Sequence, residues 1–214
     1  MIKQYKHIIW DWNGTLFDDA HLCLEVLNAM MGERDLSLIT LESYRENFRF
    51  PVIDYYVDLG FDFDAEDFDD VANEYIALYN SRRCECKLRE GSIEVLQAIE
   101  KAGLKQSILS AYHQDLLEQV VEYFDITGFF TNICGLGDYY ANCKIDLGKK
   151  LIETTGLEKN DVLLVGDTVH DFEVAEKIGC DCVLLTDGHQ SEEKLKSCGT
   201  EVLKSIEEVT KIWS

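Results

Sequence analysis

Five side chains in this sequence, three of them where apolar runs stop, are of types that suit one chemistry. Asp11 closes the run that begins at Tyr5, Ser110 ends "LKQSILS", and Asp167 ends "NDVLLVGD" with Asp171 four residues on. Lys144 lies just ahead of a helical pattern, between "TNICG" and "VLLVGD". Ligands in open α/β sheets bind beyond the carboxyl ends of strands, so these residues converge on one edge. A carboxylate, a hydroxyl, a lysine and a second acid pair are what a phosphoryl group with a magnesium ion requires. Phosphoryl transfer mostly needs positioning and neutralisation of charge on the equatorial oxygens. Asp11 is the candidate nucleophile, forming an aspartyl phosphate. Two anions repel, so a Mg²⁺ held by Asp11 and Asp167 is expected, with Asp171 placed to hold its waters. Lys144 is expected to neutralise charge on the opposite side. Ser110 and nearby backbone N–H groups such as that of Ala111 are expected to grip the phosphate. Gly14 and Thr15 let the chain turn tightly at the nucleophile, and Thr15 joins the phosphate-side candidates.

Positioning these groups takes strands alternating with helices. Strand-like runs appear at "YKHIIWDW", "LKQSILSAY", "NDVLLVGD" and "DCVLLTDG", and the shorter "TNICG" reads as one more. "SIEVLQAIEKAG" keeps Ile93, Leu96 and Ile99 on one helical face with Gly103 as its stop. "HDFEVAEKIG" repeats the pattern with Phe172, Ala175, Ile178 and Gly179. The expected class is α/β, a parallel sheet covered on both faces.

Between residue 20 and about 86 the strand signals vanish. Leu22, Val26, Leu27 and Met30 keep helical spacing, Pro51 suits a helix start, and Gly60 suits its end. Phe68, Val71, Ala72, Tyr75 and Tyr79 form a third stripe, read as core rather than binding surface. The expectation is an all-helical insert, residues 20–86, within a core made of 1–19 and 87–214. No Gly/Ser-rich linker appears, so short hinges should join the two. The acid-rich "DFDAEDFDD" lacks the glycine bend and terminal glutamate of a calcium loop, and reads as a solvated helix start.

Composition bounds the partners. The 214 residues are 46% hydrophobic and 29% charged, ordinary for a soluble globular protein, and no run is long enough to span a membrane. The opening apolar run is too short for a signal peptide, which points to the cytoplasm. A net charge of −21 repels nucleic acid and anionic membrane, and excludes both as partners. The eight cysteines match no zinc spacing; Cys84 with Cys86, and Cys180 with Cys182, read as reduced and mostly buried thiols rather than soft-metal sites.

"DWNGTLFDD", "ILSAY", Lys144 and "GDTVHD" resemble, in order, the four motifs of the haloacid dehalogenase (HAD) superfamily. The similarity is greatest to its phosphoglycolate-phosphatase-like branch, and it spans almost the whole chain. The resemblance implies a Rossmann-like core with a helical cap between the first and second motifs, where the insert lies. It also implies a Mg²⁺-dependent phosphatase for a small phosphorylated metabolite, phosphoglycolate-like, working as a monomer or homodimer. "TLESYRENFRFPVIDYYVDLG" is similar to that branch's cap, where an arginine near Arg49 often faces the substrate.

The sequence departs from the pattern twice. The lysine motif reads "CKID" rather than lysine-proline, and Lys149 and Lys150 follow closely. At Asn13, family phosphatases usually carry a second aspartate as general acid and base, its backbone carbonyl binding the metal. Asparagine keeps the carbonyl and loses the proton. General acid–base help is worth roughly 10² to 10⁴ in rate, so its loss slows an enzyme most where the leaving group is a poor one. His113 and His170 are the nearest possible stand-ins, each more simply a solvent-facing or helix-start residue. Three readings compete: a narrow or slow phosphatase, a metal- and phosphate-binding module that no longer turns over, and a 2-haloacid dehalogenase. In the dehalogenases the metal acids are altered, whereas Asp167 and Asp171 are both present. The phosphatase is favoured.

Overall fold

His7–Trp10 (β1) is buried at all four positions, as a parallel strand covered on both faces must be. The computed structural model describes residues 5–137 and 144–212. Residues 1–4 of the opening run and Cys143 of the lysine motif lie outside them. Further strands are Phe17–Asp18 (β2), Lys87–Leu88 (β3), Lys105–His113 (β4), Asn132–Leu136 (β5), Val162–Gly166 (β6), Asp181–Leu185 (β7) and Glu201–Leu203 (β8). Six of the eight strands form a parallel sheet in the order β5-β4-β1-β6-β7-β8.

The two-residue period of the strands divides the core. Ile8 and Trp10 face one side with Ile108, Leu163 and Val165, while Ile9 faces the other with Leu109, Val162 and Leu164. The first side packs against helices Ser92–Lys101 (α5) and Gln114–Tyr123 (α6), the second against Lys144–Thr155 (α7) and Val169–Ile178 (α8). A short helix, Glu192–Lys196 (α9), precedes the last strand. On α5 the buried face is Val95, Leu96 and Ile99, while Ile93 is exposed. The expected face was therefore rotated by part of a turn. Gly103 and Gly179 follow the ends of α5 and α8 at positive φ, as expected of helix stops.

Helices Ala20–Glu33 (α1), Leu41–Asn47 (α2), Val52–Asp58 (α3) and Phe68–Arg82 (α4) occupy the strandless stretch. Where the chain leaves and re-enters the core, β2 and β3 pair antiparallel, Phe17 with Leu88 and Asp18 with Lys87. Two-residue strands leave no periodicity to read, so sequence gave no sign of this clasp. The stretch is also fastened at its far side: Arg45 donates to the Gly188 and Asp187 carbonyls, and Lys194 and Gln190 donate to that of Phe48. The helices thus close over the carboxyl ends of the strands.

Of the cysteines described, none is in a disulfide; Cys23 is buried, Cys84 exposed and the others half-buried. Burial is less complete than expected because most of these residues lie at element edges. Among the described residues no helix is long and apolar enough to cross a membrane.

At the end of β6, a Cβ on Gly166 would come within 2.4 Å of Asp171 Cβ and Cγ, in the first turn of α8. Gly166→Ala should cost about 1–3 kcal/mol, the range for overpacking. The midpoint of urea unfolding measures it, and an unchanged midpoint would mean that α8 shifts freely.

Candidate active site

Asp11 follows β1 directly and its amide donates to the Val165 carbonyl at 2.9 Å, extending the pairing with β6 by one residue. The chain then turns through Gly14 at φ +74°, where a Cβ would approach Asp167 Oδ2 to 2.4 Å. Only glycine suits both demands. Arg89 holds the turn from outside, donating to the carbonyls of Gly14, Thr15 and Thr186. The Asp11 loop is therefore rigid before any ligand arrives.

Lys144, first residue of α7, is buried between two acids: its Nζ lies 2.5 Å from Asp11 Oδ1 and 2.6 Å from Asp171 Oδ1. Lys149 is exposed and pairs with Asp146, so Lys144 is the lysine of this site. The other oxygen of Asp171 accepts from the Thr168 amide and hydroxyl, closing a capping box on α8. Asp167 accepts from the Thr15 hydroxyl and the His189 amide, both at 2.7 Å. Burial raises the Asp11 pKa against the pull of Lys144, and Asp171 and Asp167 add to the rise, bringing it to about 8. Asp171 shares that lysine yet moves down, because the opposing burial is outweighed by Lys144 and the Thr168 bond. Burial also raises Asp167.

A second network adjoins the first. Asp19, fully buried, accepts from Asn13 Nδ2 at 2.7 Å, Tyr79 OH at 2.6 Å and the Gly14 amide at 2.8 Å. His189 Nε2 stands 3.3 Å from its other side, and His189 Nδ1 lies 3.0 Å from the Tyr44 hydroxyl. Because Asp19 only accepts, the Asn13 amide must present its nitrogen there. Burial opposes the charge of Asp19, but His189, Tyr79 and Asn13 hold its carboxyl below the usual range. Burial likewise opposes charge on His189, but Asp19 and the other acids lift it to about 9.

Of four buried acids, Asp11, Asp19 and Asp171 are thus contacted by two basic groups, Lys144 and His189, while Asp167 accepts from a hydroxyl and a backbone amide. Asp11, Asp167 and Asp171 bring carboxylate oxygens within 4.8 Å of one another, a hard-oxygen donor set that fits a divalent cation such as Mg²⁺. Asp19, Cys23 and His189 also cluster, but the Asp19 oxygens are already taken by internal donors.

A cavity of about 450 Å³ opens from this edge of the sheet to the helices α1–α4. Asp11, Asn13, Ser110, Ala111, Lys144 and Asp171 line its floor. Ser110 and Ala111 sit where the β4–β5 register shifts, an irregularity that turns strand residues toward a site. Thr15 is fully buried and spends its hydroxyl on Asp167 rather than on the cavity. Arg49 is not brought in either: it pairs with Asp58 on the exposed side of α3. His170 lines the cavity with its ring against Phe50; His113 precedes the first residue of α6 and is outside the lining. Sequence reasoning passed over Asp19, Tyr79 and His189. Asp19 lies within "DWNGTLFDD", and His189 follows the strand end "VLLTDG", which offers no site residue within the run itself. The stripe of α4 is core, as expected, at Val71 and Tyr79, with Phe68 and Tyr75 packed against it, but Phe68, Ala72, Tyr75 and Tyr79 also line the cavity.

Residues 8–185 match the family model described as haloacid dehalogenase-like hydrolase. A phosphoglycolate phosphatase of Aquifex aeolicus is 28% identical over 96 residues, 44% of this chain and 45% of that protein, so the chain matches under half of the relative's length. The crystal structure of a predicted phosphatase from Clostridium acetobutylicum superposes with TM-score 0.81 at 21% identity, over 97% of both chains. Protein Tyrosine Kinase A of Mycobacterium tuberculosis does so equally well, TM-score 0.81 at 19% identity over 99% of both. Likeness at this identity shows the fold, and the reaction must be argued from the site.

Removing Lys144 leaves Asp11 and Asp171 without their shared cation. Lys144→Met should lose about 3 kcal/mol of stability in chelator, within the range for a broken buried pair. Excess Mg²⁺ should restore part of it. Equal unfolding midpoints for wild type and variant in chelator would show that the acids have another counter-ion.

Proposed function

The chain belongs to the haloacid dehalogenase-like hydrolase family, and from that premise we propose that it is a Mg²⁺-dependent phosphatase of a small phosphorylated metabolite, working through an aspartyl phosphate on Asp11. The observation that carries this reading is a buried ammonium, Lys144, 2.5 Å from Asp11 on the floor of a cavity that Ser110 and Ala111 also line. A carboxylate held beside a fixed cation can approach a dianion.

In this reading Asp11, Asp167 and the Asn13 carbonyl hold Mg²⁺, with Asp171 behind them. When bound, the ion neutralises charge on Asp11 and on the phosphate. An Asp11 oxygen bonds to phosphorus as the ester P–O bond breaks, and the alcohol oxygen leaves with the electron pair. Lys144 and the N–H groups around Ser110 and Ala111 hold the equatorial oxygens. Water then attacks phosphorus, the acyl phosphate bond breaks, and Asp11 returns as a carboxylate. Both hydrogens of that water leave with the phosphate, which protonates the departed alkoxide in solution. Thr15 positions Asp167, a role one step removed from the phosphate contact expected of it. Residues 20–86 act as the cap over a core of 1–19 and 87–214.

Asn13 supports slow or selective turnover rather than its loss, because every other group of the inventory is present. Its hydrogen bond to Asp19 also accounts for the amide: an acid at position 13 would face an acid at 2.7 Å. The two positions therefore constrain each other.

Asp11→Ala should abolish Mg²⁺-dependent phosphate release with the fold kept, as read by circular dichroism; retained turnover would sink the aspartyl-phosphate reading. Asn13→Asp with Asp19→Asn exchanges the amide and the acid while preserving the bond between them. This double variant should hydrolyse alkyl phosphates roughly 10² faster than wild type, within the range for a positioned acid. Asn13→Asp alone should gain less and unfold earlier, from carboxylate repulsion. No gain in the double variant would mean that another group already moves the proton.

A further inference from the structure

The insert supplies the roof of the cavity, and it supplies no free cation. Residues 20–86 contain no lysine. Their five arginines are all engaged elsewhere: Arg34 with Glu66 and Glu74, Arg45 with the Gly188 carbonyl, Arg49 with Asp58, Arg82 with Glu25 and Glu85, and Arg83 with Gln119. What faces the cavity instead is mainly aromatic and apolar, with Asp69, Asn73 and Asn80 as its side-chain polar groups other than tyrosines. Tyr44 and Phe48 stack at 5.2 Å between centroids, with Tyr55 edge-on to both. Tyr75 and Tyr79 present near-parallel rings 6.1 Å apart from α4.

We infer that the alcohol half of the substrate is an uncharged aromatic, a phenol rather than a hydroxy acid or a sugar, seated between α2–α3 and α4. The inference rests on the phosphatase reading and names the substrate class for that site. A carboxylate in the place of the ring, as in phosphoglycolate, meets aromatic walls and the acids Asp19 and Asp69, with no insert cation to hold it; His189, the basic group beside Tyr44, is already paired with Asp19. A ring there gains edge and face contacts with the walls.

Two further observations agree. Asn13 has no proton to give, so the leaving oxygen must depart as an anion; a phenol, with pKa near ~10 as in tyrosine, does so far more readily than an aliphatic alcohol. The first step then balances without an acid: the Asp11–O–P bond forms, the P–O(aryl) bond breaks, and the phenolate leaves with the electron pair and is protonated in solution. Tyr55 also carries a buried hydroxyl with no hydrogen-bond partner, on a ring that lines the cavity. Buried polar groups rarely go unpaired, and a polar substituent on the substrate ring would satisfy it.

The test uses the full chain with Mg²⁺ and five probes: phenyl phosphate, benzyl phosphate, phosphoglycolate, and the uncleavable phenylphosphonate and phosphonoacetate. The expected kcat/KM is about 10² or more higher for phenyl phosphate than for phosphoglycolate, the scale of missing acid catalysis. Benzyl phosphate, which fits the walls but leaves as an alkoxide, should match phenyl phosphate in KM and fall in kcat. Phe50→Arg, at a half-buried position beside the cavity, should shift the ratio toward phosphoglycolate. Equal or better hydrolysis of phosphoglycolate by the wild type overturns the substrate class and leaves the phosphatase reading intact. If no ester is cleaved, the phosphatase reading fails, and calorimetric titration decides recognition: phenylphosphonate must bind more tightly than phosphonoacetate, and the reverse order or equality overturns it.

Discussion

Negative charge packed at the carboxyl ends of β1 and β6 is the constraint on which this structure turns. Asp11, Asp19, Asp167 and Asp171 are buried within one set of loops, and isolated buried carboxylates are too costly to persist ionised. Each is therefore paired with whatever the fold can bring: Lys144 for Asp11 and Asp171, His189 for Asp19, backbone and hydroxyl donors for Asp167. The glycine turn, the capping box of α8 and the Arg89 clasp all serve to aim donors at these acids. Their charge still exceeds that of the bases in contact, which leaves a place suited to a dication.

The same constraint ties the insert to the core. Tyr79 of α4 donates to Asp19 and accepts from Asn13, while Tyr44 of α2 meets His189 from the other side. These contacts run from the roof of the cavity through Asp19 to the turn that follows Asp11. Movement of α4 therefore loosens the Asn13–Asp19 bond as well as the cavity wall. Separation of α4 from the sheet would also leave the buried charge of Asp19 short of a donor, which favours the arrangement observed.

Much of this was legible in sequence because it follows from local rules. The buried strands announce themselves as apolar runs, and Asp11, Ser110 and Asp167 fall at or beside their ends. Lys144 could be placed only by motif order, with Lys149 and Lys150 as rivals; burial between two acids separates them. What escaped depends on distant pairing. The bond from Tyr79 to Asp19 joins residues 60 apart, and the approach of His189 to Asp19 spans 170 positions, so no window of sequence contains either. Arg49 shows the converse: a motif can place a residue near a site without fixing where its side chain points.

The overall charge of −21 sets the terms on which a phosphate can bind. Long-range repulsion of a dianion must be overcome locally, and the basic groups lining the cavity come from outside residues 20–86: Lys144, and His189 and His170. With its arginines engaged elsewhere, the roof contributes through apolar burial, worth about 1.5–3 kcal/mol for a ring the size of a phenylalanine side chain. An exposed arginine–carboxylate pair typically yields about 1 kcal/mol or less, and salt screens it. In the phosphatase proposed above, an aromatic roof over a charged floor is thus a physically sufficient division of labour: the floor would hold the phosphate, and the roof would select the group attached to it.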